Sequence, residues 1–253
     1  MSKRLVAANA WISSDSRYAA EALSYAGFDS VTVDLQHGMF GIDTAVSLLQ
    51  AISAGPAVPM VRCSRLDGAE IGKLLDAGAY GIICPSIDDA EQCRDFVGAC
   101  RYPPVGTRSF GPSRGLLYGG PDYVDHANDS VLTWAMIESR SALDNLDEIA
   151  AVEGLDGIYI GPNDLAMSLG ERPGGAMPES VREAIRRAVQ VARARGIFVG
   201  AFCGGEDAAA DMVDCGMDLV TPGNDISFLR DAANRRLSVI RRLTTLVSDA
   251  SGY

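Results

Sequence analysis

The chain has 253 residues, 47% of them apolar, enough for one large core, and on length alone either two small domains or a single α/β barrel fits. Its 22 basic and 33 acidic side chains give a net charge of −11, which argues against nucleic acid and anionic membrane as partners but does not oppose a divalent cation. No apolar run reaches the roughly 18 residues of a membrane span, and six cysteines without a C-x-x-C pair fit buried thiols in a reducing cytosol better than disulfides or a zinc site.

The opening stretch MSKRLVAANAWISS has the basic residues, short apolar run and A-x-A of a signal peptide. Trp11 and Ile12 continue the apolar run past the A-N-A, so it reads as a first strand and the protein as cytoplasmic. Strand-like runs then recur along the whole chain: 5–12, 30–35, 58–63, 81–87, 132–138, 157–162, 197–202 and 217–222. Amphipathic stretches such as TAVSLLQAISAG, AEIGKLLDAGA and ESVREAIRRAVQVARARG separate them, several ending on a glycine where a helix takes a left-handed cap. Strands that are apolar throughout, rather than alternating, are buried on both faces as parallel sheets require. Eight strand–helix units predict a single (β/α)8 TIM barrel over 1–253. The alternative, a doubly wound open sheet, usually has fewer strands and a glycine-rich first turn. No G-x-G-x-x-G occurs, so no nucleotide cofactor is expected. One irregular region, 102–128, is rich in Gly and Pro and long enough to serve as a binding loop or lid.

Barrel active sites lie at the C-terminal ends of the strands. There the sequence places Asp34, Gln36 and His37 after strand two and Arg62 after strand three. Pro85 and Ser86 follow strand four, Glu138 ends strand five, and Asn163 and Asp164 follow strand six. The last two strands run out into CGGED and PGND. Glu138 and Asp164 come from adjacent strands, and two converging carboxylates need a shared proton or a cation. Oxygen-only ligation with open positions suits Mg2+ or Mn2+ (with Co2+ as a further candidate) better than Zn2+. Each carboxylate alone reads equally well as a helix cap. Arg62 at a strand end can hold a carboxylate through its planar fork. His37, with Asp34 or Asp76 as partner, is a candidate general base. The chain has two lysines, Lys3 and Lys73, neither at a strand end, so a Schiff-base lysine is not expected. GPSRG (111–115) spells G-x-S-x-G but lacks the strand before the serine that a nucleophile elbow needs.

With these residues in place, the sequence resembles the metal-dependent (class II) pyruvate aldolases of the HpcH/HpaI family, typified by 4-hydroxy-2-oxoheptanedioate aldolase. The likeness rests on AGFDSVTVDLQHG, VPMVR, LLDAGAYGIICP, RYPPVGTRSFGPSR, MIES and, most specifically, VEGLDGIYIGPNDLAMSLG. It implies Glu138 and Asp164 as metal ligands and Arg62 as the donor-binding residue. It implies His37 as the base, acting through a metal-associated water and oriented by Asp76. Gly161, Pro162 and the loop at Ser113 would line the donor carboxylate. The reaction implied is reversible aldol addition and cleavage between a 2-oxo acid (pyruvate or hydroxypyruvate) and an aldehyde, through a metal-stabilised enolate. Family members exchange the eighth helix between neighbours and often form hexamers, so a homo-oligomer (a hexamer or trimer of dimers) is expected. The apolar spacing of Phe228, Leu229, Leu237, Ile240 and Leu243 allows this, and packing on the chain's own barrel explains that spacing equally well. Gln36 stands where many members carry an acid, which affects how water or the second substrate is held. The chain also starts directly at strand one, without the short leading helix of many relatives. A citrate-lyase-like lyase, an oxaloacetate decarboxylase, a phosphosugar isomerase or a non-catalytic binding barrel are the rival readings.

Overall fold

Runs rich in Val, Ile and Ala become eight short strands: β1 (Ala7–Ile12), β2 (Ser30–Asp34), β3 (Val58–Arg62), β4 (Gly81–Cys84), β5 (Leu132–Ile137), β6 (Gly157–Ile160), β7 (Phe198–Phe202) and β8 (Leu219–Thr221). In this computed structural model, which describes residues 5–250 and side chains as far as 242, the strands pair in chain order and close into a barrel, β8 lying parallel to β1. That topology sets the open-sheet alternative aside. Lys3 and the Leu243 side chain lie outside the described residues. Ladder bonds continue just past the strand ends, from Leu35 N–H to Arg62 O (2.9 Å) and from Cys63 N–H to Ile83 O (3.1 Å).

Local signals set the helix ends. Asp67 accepts from the N–H groups of Ala69 and Glu70, starting the helix Gly68–Asp76, and Asp89 accepts from Gln92 to start Ala90–Cys100. Gly196, at φ 72°, ends Glu179–Arg195 in the left-handed conformation that a side chain would strain. Among the described residues, no helix is long and apolar enough to cross a membrane.

The core has two parts. One fills the space between barrel and helices, where Cys63, Cys84, Cys93, Cys100 and Cys203 are also buried. The other fills the lumen with Trp11, Met60, Ile83, Trp134, Met136, Tyr159 and Leu219. Small residues make room for these large ones: a Cβ at Gly157 would come within 2.6 Å of the Trp134 ring. A polar belt lies in the same lumen, where the Asn9 amide bonds the hydroxyls of Ser30, Thr32 and Thr221 at 2.8–3.0 Å. The Tyr159 phenol joins it at 2.7 Å from Thr221. These buried groups satisfy one another, as they must where water is absent. Two residues beyond the lumen positions Thr32, Met60, Met136 and Tyr159 stand Asp34, Arg62, Glu138 and Gly161. Because side chains alternate along a strand, one face of the sheet carries all four to the upper rim.

Region 102–128 is more ordered than a free lid. It contains the helix Gly115–Tyr118 and most of the helix Tyr123–Ser130. Buried Arg108 lies over the Tyr102 ring (4.3 Å) and donates to Asp76 (2.8 Å), which pins the segment to the end of Gly68–Asp76. The C-terminal helix Asp225–Ala250 packs Phe228 on Phe28 but leaves Leu229, Leu237 and Ile240 exposed.

Candidate active site

Asp34 organises the rim. It is 2% exposed, and its carboxylate accepts five hydrogen bonds. Arg62 donates through Nε to Oδ1 (2.8 Å) and through Nη2 to Oδ2 (2.5 Å), and Trp11 Nε1 donates to Oδ2 (3.1 Å). The backbone N–H groups of Gln36 (3.0 Å) and His37 (3.2 Å) fill the remaining acceptor sites. Burial works to raise the Asp34 pKa, but the hydrogen bonds and charge of Arg62, helped by Trp11 and the His37 N–H, hold it below the usual carboxylate range. This fork-to-fork pairing fixes the Arg62 guanidinium, which also lies 4.9 Å from the Trp11 ring centroid, and among the described residues Nη1 donates no hydrogen bond.

Glu138 sits across the rim, 8% exposed. Its Oε1 accepts from the Ser86 N–H at 2.8 Å. Ser86 presents that N–H from φ 56°, a left-handed conformation uncommon for a residue with a Cβ. Oε2 faces Gly161, where an added Cβ would lie 2.7 Å away. Burial pushes the Glu138 pKa up and the Asp164 charge adds to this, outweighing the Ser86 N–H and Arg62. Asp164 is in the first turn of Pro162–Ser168, a helix opened by Pro162 at its first position. With His37, Arg62, Gly161 and Pro162 it lines a rim cavity of about 330 Å³. A desolvated carboxylate beside a second one, with Oε2 accepting no hydrogen bond among the described residues, is a donor set that fits a hard divalent cation. Among the described residues no group of three or more His, Cys, Asp or Glu is arranged to hold a metal, so Glu138 and Asp164 are the carboxylate pair to consider here.

The comparison with known proteins decides the family. The profile of the HpcH/HpaI aldolase/citrate lyase family matches residues 8–232. The chain belongs to this family. A hydroxypyruvate/pyruvate aldolase of Rhizorhabdus wittichii is 40% identical over 234 residues, 92% of this chain and 93% of that protein. A 4-hydroxy-2-oxo-heptane-1,7-dioate aldolase of Klebsiella pneumoniae is 36% identical over 242 residues, covering 94% and 91%. Among solved structures, a Burkholderia cenocepacia protein of the HpcH/HpaI aldolase/citrate lyase family superposes with a TM-score of 0.87 at 31% identity, covering 94% of this chain and 95% of the other. The chain is an enzyme of the aldolase class, and its barrel is that of the family.

In this HpcH/HpaI aldolase chain the remaining expected residues fall in different places. The Asp76 carboxylate pairs with Arg108, and among the described residues neither Asp76 nor Asp34 hydrogen-bonds the His37 imidazole. The expected carboxylate–imidazole pairing is therefore replaced by pairing to arginines, whose forks outcompete a single ring N–H. Ser113 is exposed, its hydroxyl turned back to Gly111 O (3.3 Å), and it does not line the rim cavity. His126 bonds Ser130 and Gly119, so Ser113 and His126 form no nucleophile pair. Half-buried Gln36 does not line the cavity, and its buried amide oxygen has no hydrogen-bond partner among the described residues. Lys73 is exposed on Gly68–Asp76. The cavity also contains Asn224 of the PGND turn and three residues that the strand ends do not reveal: Trp11, Tyr159 and Phe202. In the PGND turn, buried Asp225 accepts from the N–H groups of Ser13 (2.9 Å) and Ser14 (3.2 Å), clasping the end of β1 to the last loop.

Gly161 gives the sharpest test of this packing. Its φ of −99° suits any L-residue, so Gly161→Ala carries no left-handed penalty and acts by pressing chiefly on Glu138, with a lesser contact to the end of the Met136 side chain. Overpacking costs about 1–3 kcal/mol. Isothermal titration of Mn2+ is expected to show roughly tenfold or greater weakening with the fold retained. Unchanged affinity would place the cation away from Glu138.

Proposed function

We propose that the chain catalyses reversible aldol addition and cleavage between a 2-oxo acid, pyruvate or hydroxypyruvate, and an aldehyde, using Mg2+ or Mn2+ held by Glu138 and Asp164. One observation carries the reading. A single rim gathers two adjacent carboxylates, a guanidinium locked by Asp34 and an imidazole, and among the described residues neither Arg62 Nη1 nor the His37 ring has a hydrogen-bond partner. The names of the relatives point the same way and favour an aldolase over the lyase, decarboxylase and binding-barrel readings.

When bound, the cation supplies Lewis-acid polarisation of the donor carbonyl and offsets the negative charge that develops on its oxygen. Glu138 is held for this role by Ser86 and Gly161, and Asp164 is set by the helix that begins at Pro162. Arg62 Nη1 holds the donor anion, and its fixed fork costs little reorganisation as charge builds up. His37 takes a proton from donor C3 in the addition direction and the C4 hydroxyl proton in cleavage. Trp11 and Phe202, edge to face at 5.6 Å, wall the cavity with aromatic surface that limits water around the carbanionic carbon.

The experiment is proton exchange without an acceptor. Chelator-stripped protein is incubated in D2O with pyruvate or hydroxypyruvate, with and without Mg2+ or Mn2+, and the C3 protons are followed by NMR. The expected result is exchange that requires the metal and falls at least about a hundredfold in His37→Ala, the scale of a lost general base. Exchange that is independent of metal, or unaffected by His37→Ala, would refute the role assignment.

A further inference from the structure

A second cavity, about 600 Å³, opens beside the donor cavity and shares Pro162, Asn163 and Phe202 with it. It lies between the loop that follows Pro162–Ser168 and the CGGED turn after β7, so an aldehyde whose reacting carbon meets the donor would extend its tail there. The charges on its walls decide what that tail can be. Three carboxylates line the cleft, those of Glu206, Asp207 and Asp211, against one guanidinium, Arg172. Asp211 is paired with Arg182 (3.3 Å) and Glu206 loosely with Arg235 (3.7 Å). Asp207 and Arg172 have no ion-pair or hydrogen-bond partner among the described residues, which leaves one acceptor group and one donor group open. The positive end of the helix Glu206–Cys215, which would otherwise attract an anion, is already occupied by its own first-turn Glu206 and Asp207. With Glu206 and Asp211 answered by Arg235 and Arg182, Asp207 and Arg172 are the open charges, and a carboxylate or phosphate tail that met Arg172 would share the cleft with the unpaired Asp207 carboxylate. An alkyl tail would leave charged groups facing it. Hydroxyls can donate to Asp207 and accept from Arg172 in the same chain of atoms.

We infer that this cleft is the acceptor site and that it selects neutral, hydroxyl-bearing aldehydes over anionic or purely alkyl ones. The inference rests on the proposed aldolase reading and extends it to the second substrate. Glu206 and Asp207 set the preference from outside the donor site.

Initial rates of addition to pyruvate with Mn2+ are to be measured for glyceraldehyde, butanal and succinic semialdehyde, on wild type and on Glu206→Gln/Asp207→Asn, alongside donor C3 exchange on both proteins. Glyceraldehyde is expected to exceed succinic semialdehyde by at least about tenfold in kcat/KM, the size of one lost or repelled polar contact. The double variant is expected to narrow that ratio several-fold, mainly through acceptor KM, with C3 exchange unchanged. Normal exchange combined with a preference for succinic semialdehyde or butanal, or a ratio unmoved by the double variant, overturns the acceptor assignment and leaves the aldolase reading standing. Absence of metal-dependent exchange overturns the aldolase reading, and this inference with it.

Discussion

Glu138→Gln is expected to lose metal-dependent turnover and, in the same protein, the rise in Tm that Mg2+ or Mn2+ gives the wild type. The substitution keeps the shape and leaves an oxygen for the Ser86 N–H, but replaces a charged ligand by a neutral amide. A cation at a hundred times its Kd stabilises the native state by about 2.7 kcal/mol, and about 2–4 °C of Tm per kcal/mol is usual for chains of 150–250 residues. The wild type should therefore gain roughly 5–11 °C on saturation and Glu138→Gln almost none. Without metal the order differs. The wild type then holds a desolvated carboxylate beside Asp164, so the variant should melt no lower than the wild type. Thermal melts of both proteins, with chelator and with saturating Mn2+, give all four values. An equal Mn2+ shift in the two proteins would remove Glu138 from the ligand set.

Much of this rim is legible from chain position alone. His37, Arg62, Glu138 and Asp164 each follow an apolar run, and in a parallel barrel all such runs end on one face. The fold itself is legible for the same reason, because eight continuous apolar strands separated by amphipathic helices have few other ways to bury both sheet faces. Partner choice is not legible. Asp34 stands three residues before His37, and spacing suggests that they pair. Lateral register instead places Asp34 opposite Arg62, and the guanidinium takes both carboxylate oxygens. Register between strands 28 residues apart leaves no trace in local sequence. Asp76 shows the same limit, since Arg108, from a segment that reads as loop, reaches it first. Trp11, Tyr159 and Phe202 are missed for another reason. They sit within apolar runs and look like core, and only the alternation of inward and outward positions reveals that they face the lumen. Trp11 could have been found that way, two residues beyond polar Asn9 on the same face.

Asp34→Ala is expected to destabilise the fold by about 3–5 kcal/mol, because Arg62, 8% exposed, would keep its charge without a partner. At about 2–4 °C per kcal/mol this is a fall in Tm of roughly 6–20 °C. The paired replacement Asp34→Leu/Arg62→Met removes both charges and should recover most of that loss while donor binding stays abolished, which separates folding from function. Acidification tests the same pair. The depressed pKa of Asp34 means the native state binds fewer protons than the unfolded chain. The stabilisation is therefore complete above the ordinary carboxyl range, about pH 4, and is lost as pH falls through the lower native value. Urea unfolding of the wild type and the paired variant between pH 6 and pH 3 should show the wild type losing stability faster as pH falls towards the lower end. Parallel losses in the two proteins would mean that the Asp34–Arg62 pair is not the source of that acid sensitivity. Parallel losses together with donor binding retained by the paired variant would remove Arg62 from the donor site altogether.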